Sequence, residues 1–276
     1  MAEIKIAGIL RAGGFSPNHI GNDAAILNAV AEQLRKRSCE VNIYSEEQLA
    51  QGAISEKYIL NMCRDPRSIE LLHCLEDNGR LVINSGYGIE NCVRERLARI
   101  FAGSNIPYPQ SFIVETDEVV KDRLIKAGIT GCWIKRGDCH TMHHEDVTYA
   151  RHPQEAQEIL QEFFLRGIRT AVINRHINGV QIKYYGIAGT PFFHWFYHRD
   201  EKNPIPDFDP ERLRSICASA ADALGIKIYG GDCIVDESGS ITIIDFSDWP
   251  SFVPCRNEAA LVIARMVMNE IKQHKQ

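Results

Sequence analysis

The chain has 276 residues, of which 45% are hydrophobic and 24% charged, and its formal net charge is −5; this length allows one or two domains with buried cores. The mild acidity argues against a nucleic-acid partner, and the sequence shows neither an apolar run long enough to span a membrane nor a signal peptide. Nine scattered cysteines without a C-x-x-C pair argue against a disulfide framework or a four-cysteine zinc site and favour a reduced, cytoplasmic protein.

Strand and helix patterns alternate in the first part of the chain. "IKIAGIL" (4–10) predicts a buried strand, and "NDAAILNAVAEQLRKR" (22–37) has the apolar spacing and capping start of a helix. The same alternation continues with strands at "EVNIYS" and "RLVINS" and with helices at "RSIELLHCLEDNG" and "ENCVRERLARIFAGSN". This rhythm predicts a parallel, doubly wound sheet. Pro107 and Pro109 indicate a domain boundary after it.

The second part is less regular. We expect a strand and a helix over roughly 111–127, a buried strand at "CWIKR" and a helix over about 153–167. Three strands follow, "TAVINRH", "VQIKYYGI" and "FFHWFY", and the Asn178-Gly179 pair between the first two predicts a hairpin. A helix over 210–224, two more strands and a closing helix over 257–273 complete the chain.

The last two predicted strands, in "GGDCIVDESGSITIIDFSDWP", carry an unusual number of acidic residues. A turn centred between Ser238 and Gly239 places Asp232 opposite Asp245, with Cβ atoms ~5 Å apart, and Ser247 follows on the same face. Facing carboxylates repel each other unless a cation lies between them. Three oxygen ligands suit magnesium rather than zinc. The alternative is a solvated hairpin edge with its acids in water.

Lys135 lies in the apolar strand and is followed by a glycine-containing loop. A lysine in this position can contact phosphate as a point charge. The alternative is a lysine whose aliphatic stem lies along apolar surface. The loop also contains His140, His143 and His144. A zinc site is disfavoured there because ligands so close along one chain rarely form a tetrahedron; a solvated loop or a phosphate-facing His140 is favoured.

With these residues in place, the chain from about residue 106 onwards resembles the ATP-grasp superfamily, in particular ribosomal-protein-S6 modification enzymes and glutathione synthetases. "NIPYPQSFIV" resembles the entry segment, "WIKRGD" the ATP-binding lysine strand, "AVINRHINGVQIKYYGI" the adenine-binding hinge, and "GGDCIVDESGSITIIDFSDWPSF" the metal-binding hairpin. The resemblance implies an α/β (α+β) fold. A Rossmann-like N-terminal pre-ATP-grasp domain (1–105) would precede an ATP-grasp domain (106–276) of two α+β subdomains, about 106–170 and 171–276.

Carried over by position, the resemblance implies that ATP and Mg²⁺ are the cofactors. Its predicted ligands are Lys135, His140, Val172, Ile173 and Asn174 for ATP, and Asp232, Asp245 and Ser247 for the metal ion.

Two departures from the family pattern are visible in the metal hairpin. Aspartate stands for glutamate at Asp245, and serine for asparagine at Ser247; Asp248 would compensate if the strand bulged there. The alternative for the hinge residues Val172 and Ile173, and the commoner case for such side chains, is a plain core position without a chemical role. A second ATP-binding lysine is not evident, and Arg94, Arg96 and Lys126 are candidates that the sequence does not separate.

Most members of the superfamily phosphorylate a carboxylate, and an amine or thiol then attacks the acyl phosphate. The resemblance therefore implies an ATP-dependent ligase that forms a C–N bond and works mainly by positioning and charge stabilisation. The expected partners are small-molecule carboxylate and amine substrates, without nucleic acid or membrane; a homodimer remains open.

A second resemblance, to inositol polyphosphate kinases of the same fold, rests on "INRHINGVQIKYYGI" and "KRGDCHTMHH". It implies that Lys183 binds an anionic acceptor. We expect the acceptor near the Gly-rich "LRAGGFSPN", which contains Arg11 and follows the first strand at the edge where such sheets bind ligands. Lys183 and Arg11 are therefore the predicted catalytic residues. The alternatives to a ligase are a phosphotransferase acting on a hydroxyl of an anionic small molecule and a catalytically inactive ATP-binding module.

Overall fold

The computed structural model describes residues 4–15, 20–139, 144–197 and 206–275. Within these ranges the chain forms three four-stranded sheets and nine α-helices. Of the helices described, none is long and apolar enough to cross a membrane.

The first sheet is parallel and has helices on both faces, as predicted for a doubly wound arrangement. Its strands lie in the order β2-β1-β3-β4. They are β1 (Ile4–Ile9), β2 (Cys39–Tyr44), β3 (Tyr58–Asn61) and β4 (Leu81–Ile83). The helices are α1 (Ile20–Arg35), α2 (Glu46–Ala50), α3 (Pro66–Asp77), α4 (Gly86–Asn91) and α5 (Arg94–Ala102). Alternate side chains of β1 enter opposite cores: Ile6 packs with α1, and Ile9 packs with α2 and α3.

Three details of this first sheet differ from the sequence-based expectation. The strand β3 and the short helix α2 were not predicted. All four residues of β3 are buried, so this strand lacks the alternating pattern of a half-exposed strand. The long helix expected from Glu90 onwards is divided at Cys92 and Val93, and α5 therefore begins at Arg94.

The second sheet is antiparallel, in the order β5-β8-β6-β7. Its strands are β5 (Ser111–Glu115), β6 (Cys132–Arg136), β7 (Val147–Ala150) and β8 (Thr170–Arg175). One face packs against α6 (Lys121–Lys126) and α7 (Pro153–Leu165). In β6, Cys132 and Ile134 enter this core, so Trp133 and Lys135 project from the opposite face.

The third sheet is also antiparallel, in the order β10-β9-β11-β12. Its strands are β9 (Val180–Ile187), β10 (Phe193–Tyr197), β11 (Ile228–Val235) and β12 (Ile241–Asp248). One face packs on α8 (Pro210–Leu224). The closing helix α9 (Arg256–His274) returns to the first sheet and packs beside α1.

The prediction of a hairpin at Asn178-Gly179 is wrong. The strand before this turn, β8, belongs to the second sheet, and the strand after it, β9, belongs to the third. The turn therefore connects two sheets. A Cβ atom at Gly179 would collide with the backbone oxygen of Val235, so the glycine permits the close approach that starts the pairing of β9 with β11.

The fully buried Asn84 connects the first and third sheets. Its Nδ2 donates to the Ile228 carbonyl at 2.7 Å, and its Oδ1 accepts from the backbone amides of Lys227 and Ile228 at 2.8 and 2.9 Å. These bonds satisfy backbone groups at the start of β11. They fix the strand that carries Asp232 to the end of β4.

Candidate active site

A cleft of about 470 Å³ lies between the second and third sheets. Its walls come from β6, from the connection between β8 and β9, and from the neighbouring strands β11 and β12. Lys135, Asn174, Asp232 and Asp245, all predicted from the sequence, line this one cleft.

Lys135 is only 7% exposed, and its Nζ donates to the Ile244 carbonyl at 2.8 Å. Burial, together with the positive charge of Arg94, lowers the pKa of Lys135 to about 8, against the opposing effects of Asp245 and Asp232. The ammonium group thus lies between the lysine strand and the acidic hairpin.

The predicted register of the acidic hairpin is confirmed at the site. Asp232 pairs with Asp245, and Gly230 with Ser247. Nearer the turn the pairing is shifted by one residue, with Val235 opposite Ile241, and a β-bulge restores the predicted register before Asp232. The extra residue of the bulge is Ile244. Because the bulge leaves Ile244 outside the ladder, its carbonyl is available to Lys135.

Lys183 lies opposite Asp232 on the neighbouring strand β9. Its Nζ contacts both carboxylate oxygens of Asp232, at 2.8 and 3.0 Å. Although burial opposes the charged form, the charges of Asp232 and Asp245 and the hydrogen bond to Asp232 raise the pKa of Lys183. The predicted acceptor-binding lysine is therefore an ion-pair partner of a predicted metal ligand.

Asp245 lines the cleft, and its backbone carbonyl accepts a hydrogen bond from the Tyr184 hydroxyl at 2.8 Å. Ser247, two residues further on, lies on the same strand face and is half-buried. In the described ranges no group of three or more His, Cys, Asp or Glu side chains is arranged to hold a metal ion. The oxygen set consists of two carboxylates and one hydroxyl.

The predicted adenine-binding residues are distributed differently. Ile173 packs into the core beneath α7, and Val172 is fully buried; of the predicted hinge residues only Asn174 lines the cleft. Asn174 is 1% exposed and donates to the Ser111 hydroxyl at 2.7 Å, and its Oδ1 has no hydrogen-bond partner among the described residues. The lining continues through 175–179.

Aromatic rings form the other wall at this end of the cleft. Trp133 and His176 line it, and the indole Nε1 donates to His176 Nδ1 at 3.2 Å. Tyr149 packs against both rings, with centroid distances of 5.2 Å. Sequence reasoning missed these residues, although Trp133 lies two positions before Lys135 and so faces the same side of β6.

The structure separates the three candidates for a second ATP-binding cation. Arg94, at the start of α5, lines the cleft and affects the pKa of Lys135. Arg96 pairs with Glu90 at 2.7 Å on the surface, and Lys126 is exposed at the end of α6. Arg94 is the candidate that the fold brings to Lys135.

Arg11 lies outside this cleft, in a buried ion network. Its guanidinium donates to Asp23 at 2.8 Å, to Asp248 at 3.2 Å and to the Met62 carbonyl at 3.1 Å. Arg64 also donates to Asp248, at 3.0 and 3.2 Å. The network joins the first sheet to the end of β12, and Arg11 holds the two together.

The structure decides the expectation for Asp248 and does not test the one for His140. Asp248 is fully buried and, one residue beyond Ser247, faces the side of β12 opposite Asp245. It therefore does not compensate for Ser247 in the cleft. His140 lies outside the described residues.

Comparisons with known proteins establish the fold. No protein-family model matches the chain, and no curated protein matches it. Among solved structures, D-alanine–D-alanine ligase from Bacillus anthracis complexed with ATP has a TM-score of 0.74 at 14% identity, covering 100% of this chain and 99% of that one. The D-alanine–D-alanine ligase from Coxiella burnetii has a TM-score of 0.74 at 11% identity, covering 99% and 96%.

A RimK domain ATP-grasp protein from Sphaerobacter thermophilus has a TM-score of 0.70 at 15% identity, covering 94% of this chain and 98% of that one. At identities this low, the comparisons demonstrate similarity of fold alone. The similarity extends over the first sheet and over the two sheets that form the cleft. The chain has the fold of the ATP-grasp superfamily, as the sequence resemblance implied.

Proposed function

We propose that the chain is an ATP- and magnesium-dependent ligase that joins a carboxylate to an amine, or to a thiol, through an acyl phosphate. The observation that carries this proposal is the meeting of Lys135, Arg94, Asp232 and Asp245 in one cleft between two sheets. Two cationic side chains facing two carboxylates suit a polyphosphate accompanied by a divalent cation. The ligases and the ATP complex among the similar solved structures support the same assignment.

The polarity of the cleft orients the nucleotide. The end formed by Trp133, Asn174 and His176 offers ring surfaces and a buried amide, which suit a nucleobase. The opposite end is charged and suits the phosphates. Asp232, Asp245 and Ser247 provide only oxygen donors, so they fit magnesium, which commonly binds through one or two carboxylates plus phosphates and water. Magnesium held there by these residues would supply positive charge that offsets the charge developing on the phosphates.

The side chains of this cleft act by positioning and by charge. Lys135 and Arg94 would hold the phosphates while the substrate carboxylate attacks the γ-phosphorus and ADP leaves. The incoming amine then attacks the acyl carbon, the bond between this carbon and the phosphate oxygen breaks, and phosphate leaves with the proton that the amine loses. No side chain needs to act as a nucleophile, since the substrate itself becomes phosphorylated.

The second substrate would approach along the face of the third sheet beyond Lys183. There the half-buried Tyr185 lies next to Lys183 on the same face and contacts Phe196 and Phe252 at ring distances of 5.1 Å. In the phosphotransferase alternative, Lys183 would bind an anionic acceptor. The ammonium group of Lys183, however, is bound to both carboxylate oxygens of Asp232. The ligase is therefore the function that the geometry supports best.

Thermal unfolding with ATP or ADP, each with and without magnesium, tests nucleotide binding. We expect the midpoint to rise only when nucleotide and magnesium are both present. A ligand at 100 times its Kd stabilises by about 2.7 kcal/mol, roughly 5 °C or more for a chain of this size. Release of ADP that requires both a carboxylate and an amine then tests the ligase. Unchanged midpoints at millimolar ATP would refute the proposed function.

Because the pKa of Lys135 is lowered, we expect ATP binding to depend on pH. Burial lowers the pKa of Lys135 from the ordinary lysine value of 10.5 to about 8, so the free protein should lose the charge of Lys135 near pH 8. Because phosphates favour the charged form, ATP binding should take up protons there, and affinity should fall by up to about tenfold per pH unit above 8. Folding stability has the opposite trend: the cost of the buried charge is present below pH 8 and disappears as pH rises towards 10.5.

Calorimetric titrations in two buffers of different ionisation enthalpy measure this proton uptake. The Lys135→Met variant is the control and should bind ATP more weakly, without uptake near pH 8. Equal proton uptake in the variant and the wild type would assign the titration to another group.

A further inference from the structure

We infer that Lys183 is a built-in cation that takes the place of a metal ion at Asp232, so that the cleft binds one divalent cation with the nucleotide and not two. This inference rests on the proposed function and narrows its magnesium site to Asp245 and Ser247, because Asp232 is paired with Lys183. Facing carboxylates in phosphate-transferring sites can hold either one ion or a pair, and the sequence alone leaves that number open.

The first support is the row of charges across three neighbouring strands. The register places Lys183 of β9 opposite Asp232 of β11, and Asp232 opposite Asp245 of β12. Residues paired in this way share one sheet face, with Cβ atoms about 5 Å apart. This face of the sheet thus carries, side by side across the strands, one cation followed by two carboxylates. Asp232, in the middle, has a fixed positive charge on one side.

The second support is the geometry of the ion pair. The Nζ atom of Lys183 lies 2.8 Å from one oxygen of Asp232 and 3.0 Å from the other. The side chains are only 14% exposed for Asp232 and 33% for Lys183. Both carboxylate oxygens of Asp232 are thus hydrogen-bonded to Lys183 at a site with little exposure to solvent. A divalent cation bound to Asp232 on its own would face an ammonium at close range, where low exposure weakens screening.

The third support is the small number of remaining donors. When Asp232 is paired with Lys183, the cleft offers the carboxylate of Asp245 and the neighbouring hydroxyl of Ser247. The described part of the chain contributes no third His, Cys, Asp or Glu to a metal cluster here. One magnesium ion can bind through a single carboxylate, phosphate oxygens and water. A second ion would lack an unshared carboxylate.

The experiment counts bound Mn²⁺ by electron paramagnetic resonance, with the protein saturated by a non-hydrolysable ATP analogue. Equilibrium dialysis of the analogue in the same samples reports nucleotide occupancy. We expect one Mn²⁺ per bound nucleotide for the wild type, two for Lys183→Met, which leaves Asp232 without its cation, and one for Lys183→Arg, which restores a positive charge. Thermal unfolding verifies that each variant is folded.

The matched control is Lys227→Met, which removes another lysine ion pair, 2.7 Å from Glu270 and outside the cleft. It should retain one Mn²⁺. Two Mn²⁺ in the wild type would overturn the inference while leaving the proposed function intact, and this count suffices even if Lys183→Met does not fold. A single Mn²⁺ in folded Lys183→Met would show that the ion pair between Lys183 and Asp232 is purely structural, and this result would also overturn the inference. Absence of nucleotide from the wild type would refute the proposed function and, with it, the inference.

Discussion

Replacement of Asp245 by asparagine is expected to abolish magnesium-dependent nucleotide binding and leave the fold intact. Asp245 lines the cleft, and its side chain has no hydrogen bond to another described residue, so it is the carboxylate best placed to bind a cation carried by ATP. The amide keeps the shape of the side chain and removes its charge. Any ADP-releasing activity should fall roughly 100-fold or more, as when one charge-stabilising group is lost.

The measurement is nucleotide affinity with and without magnesium, by calorimetry. Glu237→Gln is a matched control, because it removes a carboxylate from the exposed turn of the same hairpin. It should bind as the wild type does. If Asp245→Asn retained the magnesium dependence of the wild type, the cation would bind elsewhere.

Replacement of Asp248 by asparagine should have the largest effect on stability. Asp248 is fully buried and accepts hydrogen bonds from Arg11 and Arg64, which lie in the connections that follow β1 and β3 of the first sheet. The neutral amide would leave two largely buried guanidinium groups without this counter-charge. Breaking a buried ion pair from one side typically costs about 3–5 kcal/mol, and we expect the free energy of unfolding to fall by that amount.

Urea unfolding measures this difference, provided that the transition is two-state. Glu211→Gln is the control, since it breaks an ion pair with Arg214 in which the glutamate side chain is 74% exposed. Exposed pairs contribute about 0–1 kcal/mol. A similarly small loss for Asp248→Asn would mean that the buried network contributes no more than a surface pair.

The sequence predicted several of the charged residues that line the cleft, because their signals are local. Side chains alternate along a strand, so Lys135 projects from the face of β6 opposite to the core that Cys132 and Ile134 enter. Asp232 and Asp245 were paired by counting from one turn. That count succeeded because a bulge at Ile244 offset a one-residue shift near the turn, and neither feature is visible in the sequence pattern.

The hinge shows the limit of local signals. Asn178-Gly179 has the composition of a hairpin turn, yet its strands enter different sheets. Strand partners are selected by packing over the whole fold, and here Gly179 permits close contact with a strand more than fifty residues further along the chain. The same reason explains why the cleft is lined from Asn174 onwards, with Val172 and Ile173 beneath it in buried positions.

The doubly wound first sheet, the lysine strand and the acidic hairpin could be predicted from the sequence, because they depend on periodicity and spacing within short segments. The resemblance to the ATP-grasp superfamily rests on the order of its motifs. Only the tertiary structure decided which charges meet. It placed Arg94 beside Lys135, paired Lys183 with Asp232, and enclosed Arg11 between Asp23 and Asp248. Apart from Arg11 and Asp23, which are 12 positions apart, these contacts join residues 41 to 237 positions apart. Their formation depends on long-range packing, which no local pattern encodes.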